Sequence, residues 1–456
     1  MVKRAVCYSF SLSANEPMAY LRLTAPLRAA GIEVVNGFDG GQVNLDVIPT
    51  ADVVVFQREF PMRFDAYQTI VALARQEGKP IIFEVDDLLF FLPENHPDRQ
   101  REYYGPTLLP MFQALAEADL ITVTTPKLRE ALSVYHPNVV TLPNCFDESL
   151  WQLTPPVQKS ASEPLTLGYM GTNSHQPDLE YLKPVLIDLA ARYPDRLRFH
   201  FWGAPPPLEL KVFPQVKWTS QYFSSYPEFA AFFQVQTADL WVAPLTESLF
   251  NQCKSGIKFL EYSARGAPGV YSRLEPYTDM ITHGHDGLLA ASLDEWQAHL
   301  IHLIEDEAFR VQLAANAQAT IREKWFLSQH AYRWQEAYQH AGKTSAPQPL
   351  PPRIAEMLRS INLQLYETFQ RKAALENDLR ERITEREKAI HNLNVQVAQR
   401  DHHIRELTAQ LNHARHEIEQ LQAEVMGYVL SKSWRMTRPL RMVGRKLKRM
   451  RGDRHV

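Results

Sequence analysis

The 456-residue chain has few cysteines and lacks any long apolar run, and each shortage excludes a class of protein. Its three cysteines, Cys7, Cys145 and Cys253, are odd in number and far apart, so they form neither a disulfide framework nor a metal-binding pattern. No stretch approaches the ~20 apolar residues that a membrane span needs. The start of the chain could pass for a short signal peptide, but its apolar stretch is broken by Tyr8 and by serines, and a first strand explains it equally well. We expect a cytoplasmic protein that is soluble or peripheral on a membrane.

Metal-binding patterns are also missing. The 16 histidines are scattered, and those at 402–403, 413 and 416 fall in a helical repeat, where a solvated position is expected. Asp86 and Asp87 are adjacent instead of being separated by one residue, which suits a shared metal ion less well. We therefore expect neither a metal ion nor a cofactor.

Charge is unevenly distributed, although the formal net charge is only −3. Residues 429–456 contain ten Lys or Arg and one Asp, which gives this segment +9 and leaves −12 for the rest of the chain. A basic end on an acidic body indicates that the tail has an anionic surface as its partner.

Short apolar runs alternate with helical stretches twice along the chain. Runs such as Asp52–Gln57 and Pro80–Val85 are mostly apolar without alternation, which is typical of parallel strands covered on both faces. A Pro/Ser-rich break at 154–164 precedes a second series, which begins with Leu165–Met170. The pattern predicts an α/β protein with two doubly wound, Rossmann-like domains. Because such sheets bind ligands at the carboxyl ends of their strands, we expect a cleft there.

The predicted organisation has six parts. They are a first Rossmann-like domain at 1–153, a second at 154–325, a helix that crosses back to the first domain at 326–342, a proline-rich linker at 343–353, a coiled coil at 354–428 and a basic amphipathic tail at 429–456.

The segment after the linker repeats every seven residues, which indicates a left-handed coiled coil. Mostly β-branched residues occupy the first core position, namely Ile383, Ile390, Val397, Ile404, Leu411, Ile418 and Val425. The second core position is occupied by Arg386, Leu393, Arg400, Leu407, Ala414, Leu421 and Tyr428. This pattern favours a parallel dimer. The two arginines leave a trimer or a heteromeric partner open, and a long helix folded onto the body is the alternative.

The polar residues that are most informative about chemistry follow one strand of the second domain. The loop and the helix after this strand carry Asn251, Lys254, Ser255, Lys258 and Glu261. Lys254 and Lys258 lie on one helical face near the amino end, where unpaired amides and the helix dipole attract phosphate. A lysine there adds a charge that can follow a departing diphosphate. From the residues alone, a solvated helix face is the alternative.

This segment resembles the donor-binding region of glycosyltransferase family 4 (group 1) and its GT-B relatives. The residues that carry the resemblance are Glu261, Ala264 to Pro268, Ser272, Glu275 to Tyr277 and His283 to Leu289. The resemblance spans roughly residues 1–340, and its specificity comes from the combination of these motifs and not from any one of them. It implies the GT-B fold, an acceptor-binding first domain, a donor-binding second domain and a nucleoside-diphosphate sugar as co-substrate, without a metal.

One position departs from the family pattern. Glu261 corresponds to the second glutamate of the family's Glu-x7-Glu signature and is implied to bind the donor ribose, whereas the first glutamate falls at Cys253. A subgroup with the pattern Asn-x-x-Lys-Ser-x-x-Lys-x-x-Glu resembles this chain better. In that subgroup, Lys258 and Lys254 are implied to bind the diphosphate.

A second part of the predicted donor site follows the first strand of the second domain. Gly171 and Thr172 let backbone amides approach a phosphate closely, although a purely structural turn is the alternative. His175 is a candidate catalytic residue that contacts the diphosphate or the acceptor, or else caps the turn. Trp202 and Gly203 end the next strand, where the family holds the base.

In the first domain, Asp86 and Asp87 follow a strand at its carboxyl end. Both are candidate catalytic residues that orient an acceptor hydroxyl, and the alternatives are helix capping by Asp87 or a loop salt bridge. Arg58 ends the preceding strand and is a candidate contact either for the acceptor or for an acidic group. Asn144 is expected to be a turn residue.

The basic tail carries Leu440, Val443 and Leu447 at helical spacing, with cations between them. An amphipathic cationic helix beginning at Pro439 suits the inner face of an anionic membrane. Nucleic acid is disfavoured as a partner because the body is acidic and no aromatic platform is present. A solvated tail is the remaining alternative.

The resemblance implies a hexosyltransferase-type glycosyltransferase. It would move a sugar to a glycan or lipid-linked acceptor in surface-polysaccharide synthesis of the O-antigen or capsule type, with retention at the anomeric carbon. Homo-oligomerisation through the coiled coil is expected. A catalytically silent GT-B scaffold that recruits partners through the coiled coil is the alternative, and Cys253 favours it. A GT-B sugar-nucleotide epimerase is a third hypothesis, for which the basic tail has no evident use.

Overall fold

The structure is a computed structural model that describes residues 1–9, 15–159, 163–342 and 352–452. Positions 343–351 of the predicted proline-rich linker therefore lie outside the described residues. Among the helices of these ranges, none combines the length and the apolar character that crossing a membrane requires.

The first half of the chain forms a six-stranded parallel sheet and a small hairpin. The strands are β1 Arg4–Tyr8, β2 Glu33–Asn36, β3 Phe38–Asp39, β4 Gln42–Val43, β5 Val53–Gln57, β6 Ile81–Val85, β7 Leu120–Val123 and β8 Val139–Thr141. The sheet has the order β2-β1-β5-β6-β7-β8, whereas β3 and β4 pair with each other in antiparallel fashion. Every residue of β5 and β6 is buried, as their uninterrupted apolarity predicts.

Six helices accompany this sheet. They are α1 Pro17–Ala19, α2 Ala25–Ala29, α3 Phe64–Gln76, α4 Pro97–Gln100, α5 Gly105–Glu117 and α6 Pro126–Ser133. A π-helical turn, Tyr20–Thr24, joins α1 to α2. The first of these helices begins at Pro17, because the Glu16 carboxylate accepts hydrogen bonds from the amides of Met18 and Ala19 and caps the first turn.

The second half repeats the arrangement. Its strands are β9 Leu165–Gly171, β10 Leu197–Gly203, β11 Val216–Thr219, β12 Leu240–Ala243, β13 Gly269–Ser272 and β14 Leu288–Ala290, in the order β11-β10-β9-β12-β13-β14. The helices are α7 Gln176–Arg192, α8 Tyr226–Phe233, α9 Leu249–Gln252, α10 Ile257–Ala264, α11 Tyr277–Met280, α12 Leu293–Glu305 and α13 Glu307–Lys324. The predicted pair of doubly wound parallel sheets is confirmed.

After the second sheet the chain returns to the first. Helices α14 Leu327–His330 and α15 Tyr332–Ala341 follow α13. Trp334 and Tyr338 of α15 are buried in one apolar cluster with Leu23 and Leu27, which belong to the first half. The backbone at Phe326 also forms a bridge to Phe146. Burial of these aromatic rings ties residues 326–342 to the first sheet.

The rest of the described chain is helical. It comprises α16 Pro352–Leu430, α17 Lys432–Met436 and α18 Arg438–Gly452. The side chains at the first core position of the seven-residue repeat remain in water, since Ile390, Val397 and Ile404 are 57%, 55% and 59% exposed. The predicted long helix is confirmed, whereas its assembly into a coiled coil stays a prediction.

Candidate active site

The ends of β9 and β10 meet through two glycines. Gly203 has φ of +82°, a backbone conformation that favours glycine, and a Cβ there would lie 2.3 Å from the carbonyl oxygen of Gly171. The amide of Ala204 donates to the same oxygen at 2.7 Å. This close contact fixes the loop that starts at Thr172, whose side chain is exposed.

Asp178, in the first turn of α7, is a hydrogen-bonding centre that the sequence reading did not assign to the site. Its carboxylate accepts from His175 Nδ1 at 2.9 Å, from the Thr246 amide at 2.7 Å and from Asn251 Nδ2 at 3.2 Å. Burial would raise the pKa of Asp178, but the hydrogen bonds from His175 and Thr246 outweigh it and lower this pKa. The ionised carboxylate therefore holds the β9–α7 loop against the loop after β12.

His175 and Lys258 form the centre of the candidate site. Because the Asp178 carboxylate can only accept, His175 carries its proton on Nδ1, and its Nε2 faces the Lys258 ammonium at 3.5 Å. Burial, together with the positive charge of Lys258, lowers the pKa of His175 to about 4, so the imidazole is neutral. Burial likewise lowers the pKa of Lys258 to about 8, against the opposing effect of Glu261.

Glu261 lies one turn beyond Lys258 on α10 and is buried. Its Oε1 accepts a hydrogen bond from the hydroxyl of Tyr226 at 2.9 Å. Burial raises the pKa of Glu261 to about 7, while Lys258 and the Tyr226 hydrogen bond act in the opposite direction. Tyr226 in turn stacks on Tyr20 of the first domain, with ring centroids 5.7 Å apart. Tyr226 was not identified from the sequence, because nothing near it resembles a motif.

Lys254 and Ser255 lie between the two domains. Lys254 Nζ is 3.9 Å from Asp87 Oδ2 and lies over the ring of Phe250, 4.3 Å from its centroid. The hydroxyl of Ser255 accepts from Asn144 Nδ2 at 2.9 Å. These contacts bring the predicted acceptor-side carboxylate Asp87 next to the predicted donor loop.

Asp86 forms a buried ion pair at the end of β6. Its Oδ2 lies 3.1 Å from Arg58 Nη1, and Arg58 Nη2 donates to the hydroxyl of Tyr104 at 3.0 Å. Burial raises the pKa of Asp86 to about 7, and the negative charge of Asp87 adds to this effect, although Arg58 opposes it. Within the described residues, Oδ1 of Asp86 is buried and has no hydrogen-bond partner, so its acceptor capacity is unsatisfied.

A chain of buried polar side chains connects the first sheet to this site. Arg22 Nε donates to Glu84 Oε1 at 2.6 Å, Glu84 also accepts from Thr122, and Arg22 Nη1 donates to Asn144 Oδ1 at 2.9 Å. Asn144 then reaches Ser255. Asn144 is thus more than the turn residue expected from the sequence, because its amide joins a buried ion pair to the donor loop.

Cys253 and Phe250 are buried in the apolar cluster of the first domain. The hydroxyl of Thr125 donates to the backbone carbonyl of Cys253 at 2.9 Å. Burial raises the pKa of the Cys253 thiol to about 12, so it is protonated at neutral pH. Cys253 therefore anchors the loop after β12 in the apolar core of the first domain.

The structure brings most of the predicted site residues together, but not all. Lys258 contacts His175, Asn251 joins them through Asp178, and Lys254 reaches Asp87. Trp202 does not join this group, because its side chain is only 1% exposed and stacks on His200 within the second domain. This packing leaves the indole no open face for a base. Among the described residues, no group of three or more His, Cys, Asp or Glu side chains is placed to hold a metal ion.

The arrangement can bind and polarise an anion. Lys254 and Lys258 supply positive charge near the amino end of α10, and the β9–α7 loop lies beside them. The neutral His175 cannot add charge, but its Nε2 holds the Lys258 ammonium in place.

Comparison with known proteins agrees with this geometry. Residues 164–306 match the family model described as Glycosyl transferases group 1. The HepE protein of Anabaena in complex with UDP-glucose is 14% identical over 74% of this chain and 99% of that chain, with a TM-score of 0.50. Sucrose-phosphate synthase from Thermosynechococcus elongatus is 13% identical over 74% of this chain and 99% of that chain, with a TM-score of 0.52. Comparison with curated protein sequences found no match.

These likenesses confirm the GT-B fold that the sequence predicts. They also confirm, for residues 164–306, the resemblance to group 1 glycosyltransferases.

Proposed function

We propose that this protein is a glycosyltransferase that takes a sugar from a nucleoside-diphosphate donor. The observation that carries the proposal is the Lys258 ammonium, held by His175 at the start of α10 beside the end of β9. The family match over the second domain and the UDP-glucose bound by the Anabaena neighbour support it.

In the proposed complex, the donor diphosphate lies between the β9–α7 loop and α10. Backbone amides at Gly171 and Thr172 and the ammonium groups of Lys254 and Lys258 would bind its oxygens. Glu261 would accept hydrogen bonds from the donor ribose, replacing its present hydrogen bond to Tyr226. We propose that the reaction needs neither metal nor cofactor, because the lysines supply the charge that a leaving diphosphate requires.

The finer assignment is also a proposal. By resemblance to its family, the chain transfers a hexose with retention at the anomeric carbon. The acceptor is a glycan or lipid-linked saccharide of a surface polysaccharide.

Donor binding tests the proposed function directly. We expect titration calorimetry with a panel of nucleoside-diphosphate sugars to give at least one dissociation constant of about 1 mM or tighter. Glu261→Gln should weaken this binding, because a neutral amide accepts more weakly from ribose hydroxyls than a carboxylate does. Glu247→Gln, on the neighbouring loop, is the matched control and should bind as the wild type does. A panel without any binder would reject the transferase.

A catalytically silent scaffold is the second candidate. The observation that favours it is the burial of Cys253 in the first domain, which leaves the site without the family's first glutamate. A scaffold predicts no turnover with any donor that binds, whereas the transferase predicts transfer to an acceptor.

Asp86 is the residue that we propose to orient the acceptor hydroxyl. Its Oδ1 has no hydrogen-bond partner among the described residues, and it can take the proton of that hydroxyl only when the carboxyl group is ionised. Since the pKa of Asp86 is raised to about 7, kcat/KM for the acceptor at saturating donor should rise as the pH increases through about 7.

Asp86→Asn should lower this kcat/KM by about 10²-fold and flatten its pH dependence. Glu59 lies 3.2 Å from the same arginine, so Glu59→Gln is the matched control and should keep the rise. An unchanged pH profile in Asp86→Asn would assign the proton transfer to another group.

A further inference from the structure

The helix α18 separates apolar and cationic side chains onto opposite faces. At about 100° per residue, Leu440, Val443 and Leu447 fall within one narrow stripe. Six of the seven cations of this helix lie outside the stripe, namely Arg438, Arg441, Arg445, Lys446, Lys448 and Arg449. The three apolar side chains are 73%, 57% and 59% exposed.

The joint before α18 is held by specific contacts. Ser431 Oγ accepts from the Trp434 amide at 3.1 Å and caps α17. The guanidinium of Arg441 lies over the Trp434 ring, 3.3 Å from its centroid, and also donates to the Thr437 hydroxyl at 2.9 Å. These contacts fix an indole, which favours the boundary between water and lipid, next to the cationic face.

We propose that α18 docks in the plane of an anionic lipid bilayer. The stripe of Leu440, Val443 and Leu447 enters the boundary of the acyl chains, and the cations contact lipid phosphates. Nucleic acid fits less well because the cationic face alone would bind it and the apolar stripe would stay in water.

The seven-residue repeat in α16 favours a parallel pair of two copies of this chain, which places both copies of α18 at the same end of the pair. The arginines at the second core position, Arg386 and Arg400, are each followed directly by an acid, Glu387 and Asp401. In a parallel pair, a residue at this core position packs against the same position and the next residue of the partner helix. Each arginine then meets a carboxylate of the second copy. A parallel pair presents two copies of α18 to one membrane, which increases the avidity.

Vesicle sedimentation of the full chain tests the docking. We expect binding to vesicles of phosphatidylcholine with phosphatidylglycerol and at least about 10-fold weaker binding to phosphatidylcholine alone. Leu447→Gln, in the apolar stripe, should weaken binding by about 10-fold. Met442→Gln, on the cationic face, is the matched control and should bind as the wild type does.

Three results would overturn the docking proposal. They are equal binding to both kinds of vesicle, equal losses in Leu447→Gln and Met442→Gln, and binding to duplex DNA without binding to vesicles. These measurements use no donor, so they are independent of the proposed transfer reaction.

Pairing is tested by breaking the core of the repeat. Val397→Asp with Ile404→Asp should reduce the mass in sedimentation equilibrium to that of one 52.5 kDa chain and weaken vesicle binding by about 10²-fold. Val395→Asp with Ala409→Asp places the same charges on the outer face and should leave both unchanged. A wild-type mass of 52.5 kDa in sedimentation equilibrium would contradict the pairing. Wild-type vesicle affinity in the variant with Val397→Asp and Ile404→Asp would contradict it as well.

Discussion

Lys258→Met is expected to lower kcat by about 10²–10³-fold with little change in stability. The ammonium of Lys258 lies at the start of α10, where we place the leaving diphosphate, and no other described cation is held in the same position by His175. Methionine keeps most of the side chain's volume and removes the charge. Because burial already disfavours the charged lysine, its loss should not destabilise the fold.

The pH dependence of donor affinity tests the role of the Lys258 charge independently. The pKa of Lys258 is lowered to about 8, so the free protein carries this charge below pH 8 and loses it above. Donor affinity should therefore fall as the pH rises through about 8 in the wild type, and this fall should be absent in Lys258→Met. Calorimetry over the pH range, with steady-state kinetics, measures both effects.

Lys217→Ala provides the control for a general loss of positive charge. Lys217 is exposed on β11 of the same domain, and its removal should leave kcat within about twofold of the wild-type value, as expected for an exposed position away from the chemistry. If Lys258→Met also stays within this range, the diphosphate does not bind at α10, and the proposed function fails at its main observation.

The two sheets could be predicted from the sequence because each central strand is an uninterrupted apolar run. β5 and β6 are examples, since burial on both faces removes the alternation that an exposed sheet would show. Edge elements gave no such signal. The strand β11 has only partly buried or exposed residues, and it was missed. The hairpin of β3 and β4, with two residues in each strand, was also too short to detect.

The candidate site was predictable where a local pattern carried it. Lys258 and Glu261 lie one turn apart, so helical spacing alone places them together. The contacts of Asn144 and Tyr226 depend on distant partners, Ser255 at 111 positions and Glu261 at 35 positions along the chain. No local pattern encodes such contacts. Trp202 shows the opposite failure. Its place at the end of a strand suggested a contact with the base, but the packing of the core determines where its ring lies.

The position of Cys253 explains how the loop that carries Lys254 and Ser255 is fixed. A glutamate at this position would have to be buried in the apolar cluster around Phe250, at the cost of desolvating its charge. The cysteine instead holds the loop after β12 to the first domain. The loop that carries Lys254 and Ser255 is consequently fixed from the side of the first domain, by Cys253 and by the network that begins at Arg22.

Arg22→Met is expected to reduce the free energy of unfolding by about 3–5 kcal/mol, because it leaves the Glu84 carboxylate buried without its partner. Both side chains are almost fully buried, at 0% and 1% exposure, and lie 2.6 Å apart. Adding Glu84→Gln should recover most of the loss, since the amide is neutral and its oxygen can still accept from Thr122. Urea unfolding of the single and double variants measures both values.

Arg4→Met is the matched control, because Arg4 pairs with Glu33 at the surface, where the two side chains are 35% and 62% exposed. Its cost should be about 1 kcal/mol or less.

The stable double variant, Arg22→Met with Glu84→Gln, then separates folding from function. It lacks the Arg22 donor that orients Asn144, and so Ser255 should be held less firmly and donor turnover should remain low although the protein is folded. If Arg22→Met costs no more than Arg4→Met, the ion pair does not hold the first domain together. Wild-type turnover in the double variant would contradict the role of Arg22 in orienting Asn144.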